Sequence, residues 1–223
     1  MCGRYLFTLV KEDVEREYKV RVNFDVKPRY NIAPGQDVVC LLGSEQGRKV
    51  EAFRWGLIPS WAKDTKFGYK LINARAETLF ESRMFKPLAM KKRCLVLADG
   101  FYEWQKTDEG KIPMCIRLKS HNPFGFAGIW ETWIPPESKV PLHTCSIVTT
   151  TPNSLMKTIH HRMPVIVLKE LEKVWLNPEI SDENVLKKIF KPYPSNEMEA
   201  YPVSKMVNSP KMNLPECMEP VKA

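Results

Sequence analysis

Between Arg93 and Thr150 the chain offers five apolar, β-prone segments in close succession: Arg93 to Ala98, Phe101 to Gln105, Pro113 to Leu118, Phe124 to Trp133 and Thr144 to Thr150. Each is continuously apolar or alternates, and β-branched and aromatic residues of this kind suit a pleated, half-buried surface. Such a series builds the strands of a mostly antiparallel sheet or barrel. Upstream, Asp37 to Leu42 and a segment ending at Phe53-Arg54-Trp55-Gly56 read as two further strands, the first preceded by an irregular turn, Arg29 to Gly35, punctuated by Pro and Gly. Helical spacing predicts a first helix over Thr8 to Tyr18 behind a Thr cap, and others at Asn153 to Ile159, Lys169 to Leu176 and Ser181 to Phe190. The expected class is therefore α+β: one domain over residues 2–223, built on a mostly antiparallel, barrel-like β-sheet with flanking helices. Trp55, Trp104, Trp130 and Trp133 are assigned to its packing. Six of the 18 prolines fall after residue 191, too many for a regular element, so residues 192–223 are expected to form a wrapping tail.

The 223 residues, 43% hydrophobic and 10% aromatic, supply enough material for one large core. The first ten residues contain Arg4 and Thr8 and run into Lys11-Glu12-Asp13, unlike a signal peptide, and no apolar run reaches membrane-spanning length. A soluble protein of a bacterial cytoplasm, associated with the nucleoid and replication, is expected. The six cysteines contain no CxxC pair and the four histidines lack ligand spacing to them, so the expectation is reduced, buried thiols with no metal and no cofactor. A formal charge of +8 and a pI near 9.1 suit a polyanionic partner bound in a salt-sensitive way, without establishing one.

Cys2 stands directly behind Met1. Removal of Met1 would leave a cysteine with a free α-amine beside its thiol, a pair that condenses with an aldehyde to an imine and then closes to a five-membered thiazolidine. The two groups titrate near pKa ~8 and ~8.5, so each has a reactive fraction at neutral pH. A second-position cysteine by itself is also an ordinary small residue after Met.

Five separated motifs occur together: Cys2-Gly3-Arg4-Tyr5, Arg29-Tyr30-Asn31-Ile32-Ala33-Pro34, Ile72-Asn73-Ala74-Arg75-Ala76-Glu77-Thr78, Ala98-Asp99-Gly100-Phe101-Tyr102-Glu103-Trp104, and His160-His161-Arg162-Met163-Pro164. In combination they resemble the SOS response associated peptidase (SRAP) family of abasic-site processing proteins. The closing segment Tyr201-Pro202-Val203-Ser204-Lys205 resembles that family as well. The resemblance implies a compact α+β domain with a basic channel for single-stranded DNA. It also implies a mature N-terminal cysteine that bonds covalently to abasic sites, giving a DNA–protein crosslink, with the peptidase name referring to loss of Met1. Whether a lyase activity or crosslink reversal accompanies it stays open. A monomer is expected.

On this reading Cys2 is the nucleophile. Glu103, flanked by Phe101, Tyr102 and Trp104, is either a solvent-facing strand glutamate or a carboxyl of raised pKa serving as acid and base; the motif favours the second. His160 is placed as proton donor to the sugar ring oxygen, with His161 a bystander, and Asn73 as an amide orienting the sugar. For strand binding the candidates are Arg4, Arg75, Arg83 and Arg162 on phosphates, Trp61 with Pro34 as a stacking surface, and Thr149 with Thr150 on the phosphate of the damaged nucleotide. Gly3 lets the backbone pass close to the sugar. Trp61 is followed by Ala62, where relatives often carry a second aromatic, so the stacking wedge is expected to be weaker. Two other readings remain: an N-terminal thiol hydrolase acting on peptides, with His160 as base, and a single-strand binding module in which Cys2 is idle.

Overall fold

The structure, a computed structural model, describes residues 2–44 and 47–221. The chain opens with β1 (Tyr5–Phe7), α1 (Lys11–Tyr18) and β2 (Arg29–Ile32). A hairpin follows, β3 (Asp37–Ser44) and β4 (Gly47–Trp55), then α2 (Lys66–Lys70), β5 (Asn73–Arg75) and α3 (Phe85–Lys91). The long strands come next: β6 (Arg93–Ala98), β7 (Gly100–Thr107), β8 (Gly110–Leu118), β9 (Phe124–Trp133) and β10 (Leu142–Thr150). After α4 (Ser154–Lys157) come the two-residue strands β11 (Met163–Pro164) and β12 (Ile166–Val167), then α5 (Glu172–Leu176), α6 (Glu183–Lys187) and β13 (Met198–Pro202).

Five strands close into a barrel in the order β3, β4, β10, β9, β6 and back to β3. All of its pairings are antiparallel except the seam, where β4 and β10 run parallel for two residues, Arg54 opposite Thr144 and Trp55 opposite Cys145. Closure removes the unpaired edges that an open sheet would present. The second sheet, ordered β13-β8-β7-β1-β2, is antiparallel throughout. It shares the barrel's core: Tyr5 of β1 meets Trp55 edge-on at 5.3 Å and Phe126 at 5.7 Å. Gly100 eases the crowded β1–β7 contact, because a Cβ there would lie 2.9 Å from Leu6 Cδ2 and from Arg117 Cγ and those side chains would have to shift.

The expected α+β class and barrel-like sheet are found, and several boundaries differ. The first helix starts at Lys11, with Val10 as an N-cap that makes no side-chain bond. Thr8 is not its cap, because its amide and hydroxyl both go to the Asp99 carboxylate. The stretch Arg29 to Ile32 is a strand, held by β1. The helical patterns at Lys169 to Leu176 and Ser181 to Phe190 each divide into one short α-helix and one 3-10 turn. Asn153 is the cap of α4, accepting from Met156 N–H. In the tail, β13 is regular after all: it lines the edge of β8, and its proline falls at the strand's last position. Trp55 and Trp133 are buried as expected, whereas Trp104 and Trp130 are only partly covered.

One buried cation organises the helices on the barrel. Arg93 donates to the carbonyls of Ala89 and Met90 at the end of α3, and to those of Trp175, Asn177 and Ile180 at and beyond the end of α5. A guanidinium is suited to helix C-termini, whose last carbonyls lack intrahelical partners.

Candidate active site at the N-terminus

Cys2 is fully buried just ahead of β1. Its carbonyl accepts from Asn73 Nδ2 at 2.8 Å. Asn73 reaches it because β5 adds in parallel to β10, with Asn73 opposite Ile147; a three-residue strand of this kind has no periodicity of its own to reveal it. The other amide atom, Asn73 Oδ1, is buried without a hydrogen bond among the described residues, an acceptor that a donor entering the site would satisfy.

Glu103 arrives through β7. The β1–β7 ladder pairs Tyr5 with Phe101 and continues through a 2.9 Å bond from Tyr102 N–H to the Arg4 carbonyl, so the next residue on β7 comes abreast of the Cys2-Gly3 segment. Its side chain is buried, and burial raises its carboxyl pKa. The Cys2 thiol is raised as well, by burial first and then by the Glu103 charge. His160, in the turn between α4 and β11, places Nδ1 4.0 Å from Glu103 Oε1. The Arg162 amide nitrogen lies 3.1 Å from that Nδ1. The Arg162 carbonyl also lies 3.1 Å from Nδ1, so that atom accepts from the amide in one tautomer of the neutral ring and donates to the carbonyl in the other. Burial lowers the His160 pKa, which favours this neutral form. His161 stacks on His160 with ring centroids 4.3 Å apart.

The four residues expected to be catalytic thus converge: Asn73 on Cys2, and Glu103 beside both Cys2 and His160. The strand-binding candidates divide. Arg75 and Arg83 are exposed. Trp61 is 65% exposed, and Phe67 meets it edge-on at 5.1 Å. The second aromatic therefore comes from α2, while Ala62 is buried and its carbonyl accepts from Trp133 Nε1. The loop carrying Trp61 turns at Gly56, whose φ is +122° and whose Cβ would lie 2.4 Å from the Gly68 carbonyl oxygen, so only glycine fits. Pro34 is half-buried, and Tyr69, 73% exposed, adds an aromatic that the sequence reading did not single out.

Three of those candidates are occupied by protein groups. Arg4 is 9% exposed and donates through Nη1 to Asn31 Oδ1 and the Val207 carbonyl, so it serves the interior and not a phosphate. The Thr149 hydroxyl is fully buried between the Ala74 carbonyl and Arg162, and Thr150 is buried beside it. Arg162 forms a bidentate pair with Glu77 at 2.6 and 2.8 Å and also donates to the Thr149 carbonyl. Glu77, whose carboxyl this pair holds below the usual range, is a site residue the sequence reading missed. Among the described residues no group of three or more His, Cys, Asp or Glu side chains could hold a metal, and all six cysteines are free and buried. Among the described residues no helix is long and apolar enough to cross a membrane.

A closed barrel that carries the chain's own second residue into a cluster of amide, carboxyl and imidazole defines a class of protein organised around the cysteine at position 2. The chain belongs to the SOS response associated peptidase family, whose sequence profile matches residues 1–210. It is 48% identical over 223 residues to the abasic site processing protein YoqW of Bacillus subtilis (strain 168), covering 98% of this chain and 99% of the relative. It is 32% identical to the abasic site processing protein YedK of Escherichia coli (strain K12), covering 99% and 100%. With the abasic site processing protein HMCES of Xenopus tropicalis the identity is 32%, covering 98% of this chain and 78% of the relative. Among solved structures, a protein from Bacteroides thetaiotaomicron superposes with a TM-score of 0.91 at 29% identity, over 99% of this chain and 100% of that one.

Proposed function

We propose that this protein captures abasic sites in single-stranded DNA by a covalent bond through Cys2, once Met1 has been removed. The observation that carries the reading is the convergence of Asn73 and Glu103 on Cys2, with His160 beside Glu103. The relatives named as abasic site processing proteins support the substrate.

The chemistry follows from the protonation states. Burial and Glu103 hold the Cys2 thiol protonated, so the mature α-amine is the first nucleophile. It adds to C1′ of the open-chain deoxyribose, and loss of water gives a Schiff base. Glu103, a carboxyl of raised pKa, supplies the proton for departing water and then takes the thiol proton as sulfur attacks the same carbon. The nitrogen retains its remaining hydrogen and the product is a thiazolidine. His160, beside Glu103, is suited to protonate the ring oxygen during ring opening. Asn73 fixes the Cys2 carbonyl and so limits where amine and thiol can lie. An imine at C1′ also acidifies C2′–H, which opens a strand-cleaving elimination; closure by sulfur removes the imine and competes with it. A lyase activity is thus expected to grow when the thiol is removed and the amine kept. The exposed Arg75 and Arg83, with the Trp61–Phe67 pair, are suited to a sequence-independent hold on phosphates and bases.

The test is a single-stranded oligonucleotide with one abasic site, incubated without reductant and run on a denaturing gel beside Cys2→Ala and an undamaged strand. A heat-stable band is expected only for wild type with damaged DNA. Borohydride should restore a band for Cys2→Ala by reducing its imine. Absence of the wild-type band in protein shown by intact mass to lack Met1 refutes covalent capture, and turnover of an acyl substrate by that material would favour the thiol hydrolase.

A further inference from the structure

The motif around Asn31 plays no part in that chemistry, yet Asn31 is almost fully buried and every polar atom of its side chain is engaged. We propose that Asn31 is a positioning residue for Cys2: together with Asn213 it clasps the C-terminal tail across the edge of the second sheet and, through Arg4, fixes where the N-terminal amine and thiol lie. The inference rests on Cys2 being the nucleophile and deepens that reading.

β1 is three residues long, and residues 2–4 project beyond it toward the site. Two anchors hold that projection. One is Asn73 on the Cys2 carbonyl. The other is Arg4, whose carbonyl accepts from Tyr102 N–H and whose Nη1 donates to Asn31 Oδ1 at 2.8 Å and the Val207 carbonyl at 2.5 Å. Gly3 is the only residue between the two. Arg4 makes no ion pair among the described residues; the oxygens of Asn31 and Val207 and the ring of Trp104, 5.9 Å from the guanidinium carbon, compensate its buried charge. A buried cation deprived of such partners moves toward water, and Arg4 would take its backbone with it.

Asn31 spends its Nδ2 on the tail, at the carbonyls of Met212 (2.6 Å), Ser209 (2.9 Å) and Val207 (3.3 Å). Asn213 Oδ1 returns the contact, accepting from the amides of Tyr30 (2.8 Å) and Asn31 (3.2 Å) on the outer edge of β2. The tail beyond β13 has little ladder of its own: two 3-10 turns, Lys205–Asn208 and Pro215–Cys217, and an isolated bridge between Val203 and Pro220. Its hold on the sheet therefore comes from side chains: these two asparagines, Trp104 Nε1 donating to Asn208 Oδ1 at 2.7 Å, the Tyr201 hydroxyl donating to the Met218 carbonyl at 3.1 Å, and the burial of Val203 and Val207 against Leu6 and Tyr102; through Val207 and Asn31 it reaches Arg4, two residues from the nucleophile.

The test is single-turnover crosslinking with abasic strand in excess, comparing Asn31→Ala, Asn213→Ala and Asn213→Asp, with amide hydrogen exchange of the N-terminal peptide on each. Asn213 is exposed, so its variants are expected to fold even where Asn31→Ala does not. Misplacement of reacting groups by about 1 Å can cost about 10²-fold, so Asn213→Ala should lower the rate constant at saturating strand by roughly 10-fold or more. Final amplitude and half-saturating concentration should stay at wild-type values, and exchange at Gly3 to Leu6 should speed up. Asn213→Asp keeps the acceptor oxygen and should restore the wild-type rate. A role in stability alone would lower the amplitude and leave the rate constant of the folded fraction unchanged. Wild-type exchange in Asn213→Ala overturns the clasp regardless of the chemistry, while failure of the wild type to crosslink counts against the proposed function and leaves the exchange result to judge the clasp.

Discussion

Replacing Glu103 with Gln separates chemistry from architecture, because the two shapes match and only the ionisable proton is lost. A positioned acid–base group is worth about 10²–10⁴-fold. The lower end applies here, since His160 Nδ1 lies only 4.0 Å from Glu103 Oε1 and its ring can carry part of the proton traffic. A loss of about 10²-fold corresponds to ~2.7 kcal/mol of barrier. Stability should move the other way. Burial raises the Glu103 pKa, so its folded-state advantage is full below the unfolded carboxyl pKa and disappears as pH rises through the folded value. The Gln variant has no such loss. Its melting temperature, relative to wild type, should rise between about pH 4 and neutrality, where the unfolded carboxylate is charged. The assay is single-turnover crosslinking at saturating abasic strand, paired with thermal melts across that pH range and an affinity measurement on undamaged strand. A slow variant that also melts lower at neutral pH, or binds undamaged DNA more weakly, would falsify the acid–base assignment and make Glu103 structural.

Trp61→Ala should weaken single-strand binding by about 1–3 kcal/mol, the usual contribution of one stacked base, with the crosslinking rate at saturation unchanged; equal affinities in a titration would place the strand elsewhere. Glu77→Gln should release Arg162 from its bidentate pair and so tighten binding and steepen the salt dependence by about 0.7, the value for one further phosphate on a single strand. Because Glu77 is held below the usual carboxylate range, the pair stabilises above the unfolded pKa and fails as pH falls through the folded one, so wild type and Glu77→Gln should converge in melting temperature in acid. Arg93→Ala leaves five carbonyls of two helix ends without their donor and should destabilise by several kcal/mol; a melting temperature within a degree or two of wild type would show that water replaces the guanidinium.

Much of the site was legible because its parts are local words: Asn73, Glu103 and His160 each sit in a short motif that can be read without knowing what it touches. Thr149 and Arg162 were legible as residues, and the contacts they make within the fold were not. Their partners, Ala74 and Glu77, are 75 and 85 positions away in the chain, and nothing in a strand threonine tells whether its hydroxyl faces inward. Arg4 failed in the same way: beside the nucleophile it reads as a phosphate ligand, yet its partner lies across the sheet and beneath the tail. Phe67 escaped notice because α2 is five residues long with no buried face, too short for a helical period to mark the side it presents to Trp61.

The sequence by itself determined the α+β class and the strands of the barrel, and it placed a cysteine behind Met1, because alternation, turn residues and residue order are properties of neighbouring residues. The parallel seam between β4 and β10, the seating of β1 between β2 and β7, and the division of the arginines into exposed and internal ones were decided only by the tertiary structure. Those depend on which strand edges and which buried charges meet across many tens of residues, and no local pattern encodes that choice.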